Sequence, residues 1–170
     1  MDLKPYIRNI SDFPKPGILF RDITPLLLNQ KAFKYCVDTF ADKSKSHAPD
    51  LIVAIESRGF IFGPSLAYAM NLPFVPIRKS GKLPYRTEEV EYELEYGSDM
   101  LQIHADSVQP GQKIVLVDDL VATGGTIRAS RHLIEKMGGT VTGVNAVVLL
   151  KELCDLEIME YENFFYLIEY

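Results

Sequence analysis

The sequence predicts an α/β domain: an open, mostly parallel twisted sheet flanked by helices, with an inserted flexible flap or hairpin. Three observations carry that reading. Short apolar runs such as LIVAI at 51–55 lack the alternation of a half-wet strand and suit strands covered on both faces. Segments of helical spacing fall between those runs, and strands alternating with helices imply a parallel sheet built from crossovers. One segment, 81–107, breaks the rhythm: from Glu88 to Tyr96 acids alternate strictly with apolar residues, as in a strand wet on one face.

In chain order, 31–46 places Phe33, Val37 and Phe40 at helical spacing among lysines and aspartates, which predicts a helix with one apolar face. The run 51–55 after Pro49-Asp50 is the first buried strand. Residues 59–70 then read as a helix and 73–77 as a short strand. Residues 114–117 form a third buried strand, and 126–137 a helix after it. Gly138-Gly139 closes that helix, because glycine accepts the left-handed cap conformation best. Strands at 141–150 and 164–168 complete the pattern. In the exceptional segment, Gly97-Ser98 turns the alternating strand into a second one at 100–104, giving an exposed hairpin or mobile flap over about 81–107. Without a repeat, a low-complexity tract or a linker, 1–170 reads as a single domain.

Composition excludes several classes. At 170 residues and 47% hydrophobic content the chain can bury a full core. Eighteen basic residues stand against 23 acidic ones, a net charge of -5, where a nucleic-acid binder usually shows the opposite balance. Cys36 and Cys154 lie far apart and match no metal or redox spacing, so reduced thiols in a cytoplasmic protein are expected. His47, His104 and His132 are scattered as well. The opening MDLKPYIRNI has no apolar signal core, and no run approaches the roughly 20 residues of a membrane helix. Neither a nucleic acid nor a membrane is an expected partner.

The most informative stretch is VLVDDLVATGGT at 115–126. Three apolar residues give way to Asp118-Asp119 at the carboxyl end of a strand, where open parallel sheets bind ligands. Thr123-Gly124-Gly125-Thr126 then leads into a helix. Backbone N–H groups at such a start, unobstructed at glycine, point at an anion, and two threonine hydroxyls add donors. The turn is a phosphate cradle, but adjacent carboxylates repel phosphate and need hydroxyls or a metal instead. A phosphorylated sugar satisfies both. The plain alternative is that Asp119 and Thr123 are ordinary turn and cap residues. A Walker loop is disfavoured because no Gly-Lys-Ser/Thr follows, and the dinucleotide fingerprint is absent.

As a unit, the strand, paired acids and Thr-Gly-Gly-Thr turn resemble the phosphoribosyl pyrophosphate motif of type I phosphoribosyltransferases. The segments FPKPGILFRDITPLLL at 13–28, ESRGFIFG at 56–63, RKSGKLP at 78–84 and LEYG at 94–97 extend the resemblance, over nearly the whole chain, to the adenine-using branch of that family. The resemblance implies the type I phosphoribosyltransferase fold and the conversion of adenine and phosphoribosyl pyrophosphate to AMP and pyrophosphate. It also implies Mg²⁺ as cofactor, held mainly by substrate oxygens and water rather than by protein ligands. Ala122, Thr123, Gly124, Gly125 and Thr126 would hold the sugar phosphate, and Asp118 and Asp119 the ribose.

Each further segment has a bland reading beside it. Glu56-Ser57-Arg58-Gly59 is at least a strand-to-helix turn; the resemblance makes it a pyrophosphate-holding loop, often with a non-proline cis peptide. Arg58 then reaches pyrophosphate or braces the base. Arg78, Lys79 and Lys82 could be a solvated basic loop, yet three cations beside an anion site in an acidic protein suit a pyrophosphate leaving group. The resemblance turns Arg78 and Lys79 to the ligand and puts Lys82 at the flap root. It places Leu19 and Arg21 around adenine, reading its edge by backbone groups, with Phe20 against the ring. LEYG puts Glu95 near the base as a catalytic group, with Tyr96 sealing the site, while Glu88, Glu89, Glu91 and Glu93 remain solvated strand acids. Tyr85-Arg86-Thr87 departs from the glycine-rich flap tip expected there. A homodimer is expected from the family and from the apolar stretch around 18–28.

The implied chemistry displaces pyrophosphate from C1′ through an oxocarbenium-like transition state, so the protein's task is positional and electrostatic, with a closing flap to exclude water. One rival keeps this chemistry on xanthine, hypoxanthine or orotate. Another, from a different class, is a nucleic-acid-binding regulator on the same fold, for which this acidic chain lacks a basic face or an added domain.

Overall fold

The computed structural model describes residues 1–93, 98–161 and 163–170. A 3-10 turn at Lys4–Tyr6 precedes a two-stranded antiparallel ribbon, β1 (Arg8–Ser11) and β2 (Leu19–Asp22), and a short helix α1 (Thr24–Leu28). Helix α2 (Gln30–Lys45) starts where the Asn29 side chain accepts the Ala32 N–H at 3.0 Å, a side-chain N-cap. It buries Cys36, Val37 and Phe40, and burial pushes the Cys36 thiol up to about 12. Then follow β3 (Leu51–Ile55), α3 (Gly59–Met70) and β4 (Phe74–Lys79), the hairpin β5 (Thr87–Glu93) and β6 (Ser98–His104), and β7 (Lys113–Val121). Helix α4 (Gly125–Lys136), β8 (Thr140–Leu149), the four-residue α5 (Leu156–Met159) and β9 (Phe164–Glu169) complete the chain.

The main sheet has seven strands in the order β5-β6-β4-β3-β7-β8-β9, parallel from β4 to β9. All five residues of β3 are buried because alternate side chains enter two cores. Leu51, Val53 and Ile55 join Leu116 of β7 and Leu133 of α4 on one face. Ile52 and Ala54 join Val115 and Val117 of β7, Phe40 of α2 and Phe62 of α3 on the other. Each such Leu, Ile or Phe, fully buried, contributes about 1.5–3 kcal/mol. Helices α3 and α4 therefore cover opposite faces. From β3 the chain crosses to β4 on one side, and from β7 to β8 on the other, so a crevice opens at the carboxyl edge between β3 and β7.

Most expected elements lie within two residues of the observed ones; β7 is the exception, running well past 117. The segment 81–107 differs more. The expected hairpin is present, and β5 and β6 extend the main sheet through Arg78↔Gln102 and Lys79↔Leu101 pairing with β4 instead of standing apart from it. Leu101 and Ile103 are fully buried, and Val90 and Tyr92 pack on the α4-side core, so the apolar half of the alternation has a partner. Among its acids, Glu88 pairs with Lys136 at 2.7 Å and Glu89 accepts a hydrogen bond from Gln102 at 2.9 Å. Among the described residues no helix is long and apolar enough to cross a membrane.

Candidate active site

Asp118 and Asp119 lie inside β7 and not at its end, because β8 keeps pairing with it as far as Val121↔Leu149. The crevice comes instead from the other neighbour. Pairing with β3 stops at Ala54↔Val117, since β3 ends and turns into α3. Beyond Val117 that side of β7 is open, and there the acids sit. Gly59 in the first turn of α3 permits this: a Cβ would stand 3.0 Å from both Asp118 Oδ1 and the Val117 carbonyl oxygen. Asp118 Oδ1 accepts the Asp119 N–H at 2.9 Å. Burial, and then the neighbouring Asp119 charge, push Asp118 well above the usual carboxylate range. Burial also raises Asp119, against the pull of Arg58.

Arg58 ties this pair to the N-terminal ribbon. Its Nε is 2.9 Å from Asp119 Oδ2, Nη1 donates to the Arg21 carbonyl at 3.3 Å, and its guanidinium lies 5.1 Å from the Phe20 ring centroid. Arg58 thus points towards the acid pair and the β2 ribbon. The Phe20 ring also meets Phe13 edge-on at 5.1 Å. Leu19 remains 46% exposed, and the Arg21 side chain turns to Asn9 and Tyr170.

In the loop after β7, Gly124 has φ +92° and precedes α4 without capping it by a side chain. Thr123 Oγ1 accepts the Gly125 N–H at a long 3.4 Å, and the Thr126 hydroxyl is hydrogen-bonded with Tyr92. Asp118, Ala122, Thr123, Gly124 and Thr126 line a small pocket of about 110 Å³. The space beside Gly124 is already filled, however. A Cβ there would collide with Ile158 of α5, which packs against the loop from behind, while the Asp155 N–H donates to the Thr123 carbonyl at 3.1 Å.

The second loop carries the non-proline cis peptide that the resemblance implies, at Glu56–Ser57. Glu56 turns its carboxylate to the basic cluster: Arg78 Nε donates to it at 3.1 Å, the Lys79 N–H at 3.1 Å, and Lys82 Nζ pairs with it closely. Lys79 Nζ pairs with Asp99 at 2.8 Å. The three cations thus rest on carboxylates. Burial would raise Glu56, but the Lys82 and Arg78 hydrogen bonds outweigh it and hold the carboxyl below its ordinary value. Ser57 is exposed and Gly59 buried.

The structure therefore gathers Arg58, Gly59, Asp118, Asp119 and the 122–126 loop into one crevice, joins β2 to it through Arg58, and sets Glu56, Arg78, Lys79 and Lys82 on the adjoining rim. Glu95 and Tyr96 lie outside the described residues. Asp99, Ile158 and Tyr170 escaped the sequence reading. Asp99 carried a signal, an acid directly after the expected turn; the other two looked like ordinary apolar residues far along the chain.

The chain is similar to known proteins along nearly its whole length. Residues 25–163 match the phosphoribosyl transferase domain model. An adenine phosphoribosyltransferase of Brachyspira hyodysenteriae is 51% identical over 170 residues, 100% of each chain. The crystal structure of one from Thermoanaerobacter pseudethanolicus superposes with a TM-score of 0.94 at 48% identity, covering 99% of this chain and 98% of that one. One from Saccharomyces cerevisiae, complexed with an imino-altritol bisphosphate and adenine, gives 0.89 at 37% identity, covering 97% and 96%. With the acid pair, the glycine turn and the ESRG loop meeting at one sheet edge, the chain belongs to the adenine phosphoribosyltransferase family.

Proposed function

We propose that the chain serves purine salvage by transferring the 5-phosphoribosyl group from phosphoribosyl pyrophosphate to N9 of adenine, releasing AMP and pyrophosphate. The observation that carries this is β7, whose acid pair leads into the Gly124 turn in the crevice between β3 and β7, with Arg58 spanning to β2. Main-chain donors of the 122–126 loop hold the 5-phosphate. Asp118 and Asp119 take the ribose hydroxyls and favour the positive charge that develops at C1′. Backbone groups of Leu19 and Arg21 read the adenine edge, and Arg58 fixes that edge relative to the acids. Arg78, Lys79 and Lys82 receive the leaving pyrophosphate. Glu95, from the LEYG motif, shares the imidazole proton as N9 becomes nucleophilic, and Tyr96 seals the site.

Mg²⁺ fits the donor set. Asp118 and Asp119 are hard oxygen donors, and among the described residues no group of three or more His, Cys, Asp or Glu converges on one point, so substrate oxygens and water would complete the shell. Bound there, such an ion would supply positive charge to offset that of the leaving pyrophosphate. Two copies assemble as a dimer in the cytoplasm; Tyr68 (91% exposed) and Leu28 (79%) supply apolar surface for the contact.

The test is pyrophosphate release with phosphoribosyl pyrophosphate and adenine, hypoxanthine, xanthine or orotate. Turnover with adenine alone, AMP as product and loss of rate in excess chelator are expected. Preference for another base overturns the substrate, and full rate in chelator overturns the cofactor. Sedimentation at micromolar concentration reads the dimer.

A further inference from the structure

We propose that Tyr170 is a positioning residue for the purine: its ring holds the Arg21 guanidinium and thereby sets the β2 edge that meets the base. The proposal rests on the adenine reading above.

Among the described residues the β1–β2 ribbon is a separate two-stranded sheet, paired with no strand of the main sheet. No ladder therefore fixes its distance from the crevice, and side chains must. Successive residues of a strand point to opposite faces. Phe20 points towards Arg58; Arg21 points away, and its guanidinium lies 3.7 Å from the Tyr170 ring centroid, a stacking distance. Its Nη1 donates to Asn9 Oδ1 within the ribbon. The Arg21 side chain is thus spent on anchorage, while its carbonyl takes the hydrogen bond from Arg58.

Tyr170 is itself fixed to the main sheet. Its N–H donates to the Leu149 carbonyl at 2.9 Å, and its carbonyl accepts the Lys151 N–H at 2.8 Å, where β8 and β9 end. Lys4 Nζ lies 5.4 Å from the same ring centroid, so two cations from the N-terminal segment meet one aromatic ring. The ribbon is held from two sides: Arg58 links it to β7, and Tyr170 to the β8–β9 end.

The experiment compares Tyr170→Phe, which keeps the π face, with Tyr170→Leu, which keeps only apolar bulk. Tyr170→Phe should match wild type within about twofold. Tyr170→Leu should raise KM for adenine by about five- to tenfold, with kcat and KM for phosphoribosyl pyrophosphate within about twofold. Equal changes in both KM values, identical behaviour of the two variants, or no change in either would overturn the proposal. Should Tyr170→Leu also melt earlier, the cycle with Arg21→Met decides: strong non-additivity in the adenine KM supports the stack, and additivity overturns it. Wild-type turnover on the four bases judges the substrate separately, and the Tyr170 ratio is then read on whichever purine is converted.

Discussion

The two loops proposed to hold anions at the carboxyl edge of the sheet are made of different materials. Loop 122–126 offers main-chain donors beside a helix start, with Gly124 held at positive φ and Ile158 wedged behind it. The rim at 78–82 offers three long cationic side chains, each already resting on Glu56 or Asp99. Main-chain dipoles need no ordering when phosphate arrives; they are in place as soon as the sheet folds. Long side chains lose several rotors on binding unless something holds them. The carboxylates hold them, so on the proposed reading pyrophosphate would exchange one anion for another and bind only by the difference. A leaving group is better served by such a rim than by a tight trap, because it must depart.

Four substitutions test that contrast. The largest effect should come from Gly124→Val. An L residue at positive φ costs about 1–3 kcal/mol, and overpacking against Ile158 a similar amount, so Tm should fall by about 5–20 °C with turnover abolished. A variant that melts and turns over like wild type would contradict the rigid-loop account. Asp118→Asn should lower kcat by about 10²-fold while raising stability at neutral pH. Its carboxyl is raised in the folded state, so the folded protein binds the proton more tightly, and wild-type stability declines as pH rises from the ordinary 3.8 towards the raised value. The variant should melt above wild type at pH 8, with the gap closing below about pH 4; a variant melting lower at pH 8 refutes the sign.

Glu56→Gln should tighten pyrophosphate by about threefold at low salt, less at high salt, as calorimetry at two ionic strengths would read. Because Glu56 is depressed below 4.5, its stabilisation is present above that pH and lost as pH falls through the folded value. The variant should therefore lack part of the acid-limb loss, and weaker pyrophosphate binding would mean that Glu56 orders the cations more than it neutralises them. The smallest change belongs to Asp99→Asn. Its pair with Lys79 is half exposed and worth little, so pyrophosphate affinity should shift by about twofold or less.

The strands and long helices were legible because each carries a period of its own: LIVAI is buried along its whole length, and Phe33, Val37 and Phe40 share a helix face. The ribbon was not. Arg8-Asn9-Ile10-Ser11 has no strand pattern and becomes a strand only by pairing with β2. Four-residue α5 is too short to carry a helical period. In the site, chemistry that depends on local order was readable, as in Asp118-Asp119 before Thr-Gly-Gly-Thr. Which carboxylate neutralises Lys82 or Lys79, and what lies behind Gly124, depends on segments that meet only in the fold.

The β5–β6 hairpin has a consequence for the edge of the sheet. Without it, the outer side of β4 at Arg78 and Lys79 would show bare N–H and C=O groups, a template for another chain. The hairpin caps that rung and becomes the new border, and among the described side chains of β5 the exposed ones are acids, Glu89 and Glu91, which repel a like strand. One segment thus guards the sheet edge and, on the proposed reading, also serves the site. Excising it should yield a protein that self-associates through β4, not a permanently open enzyme.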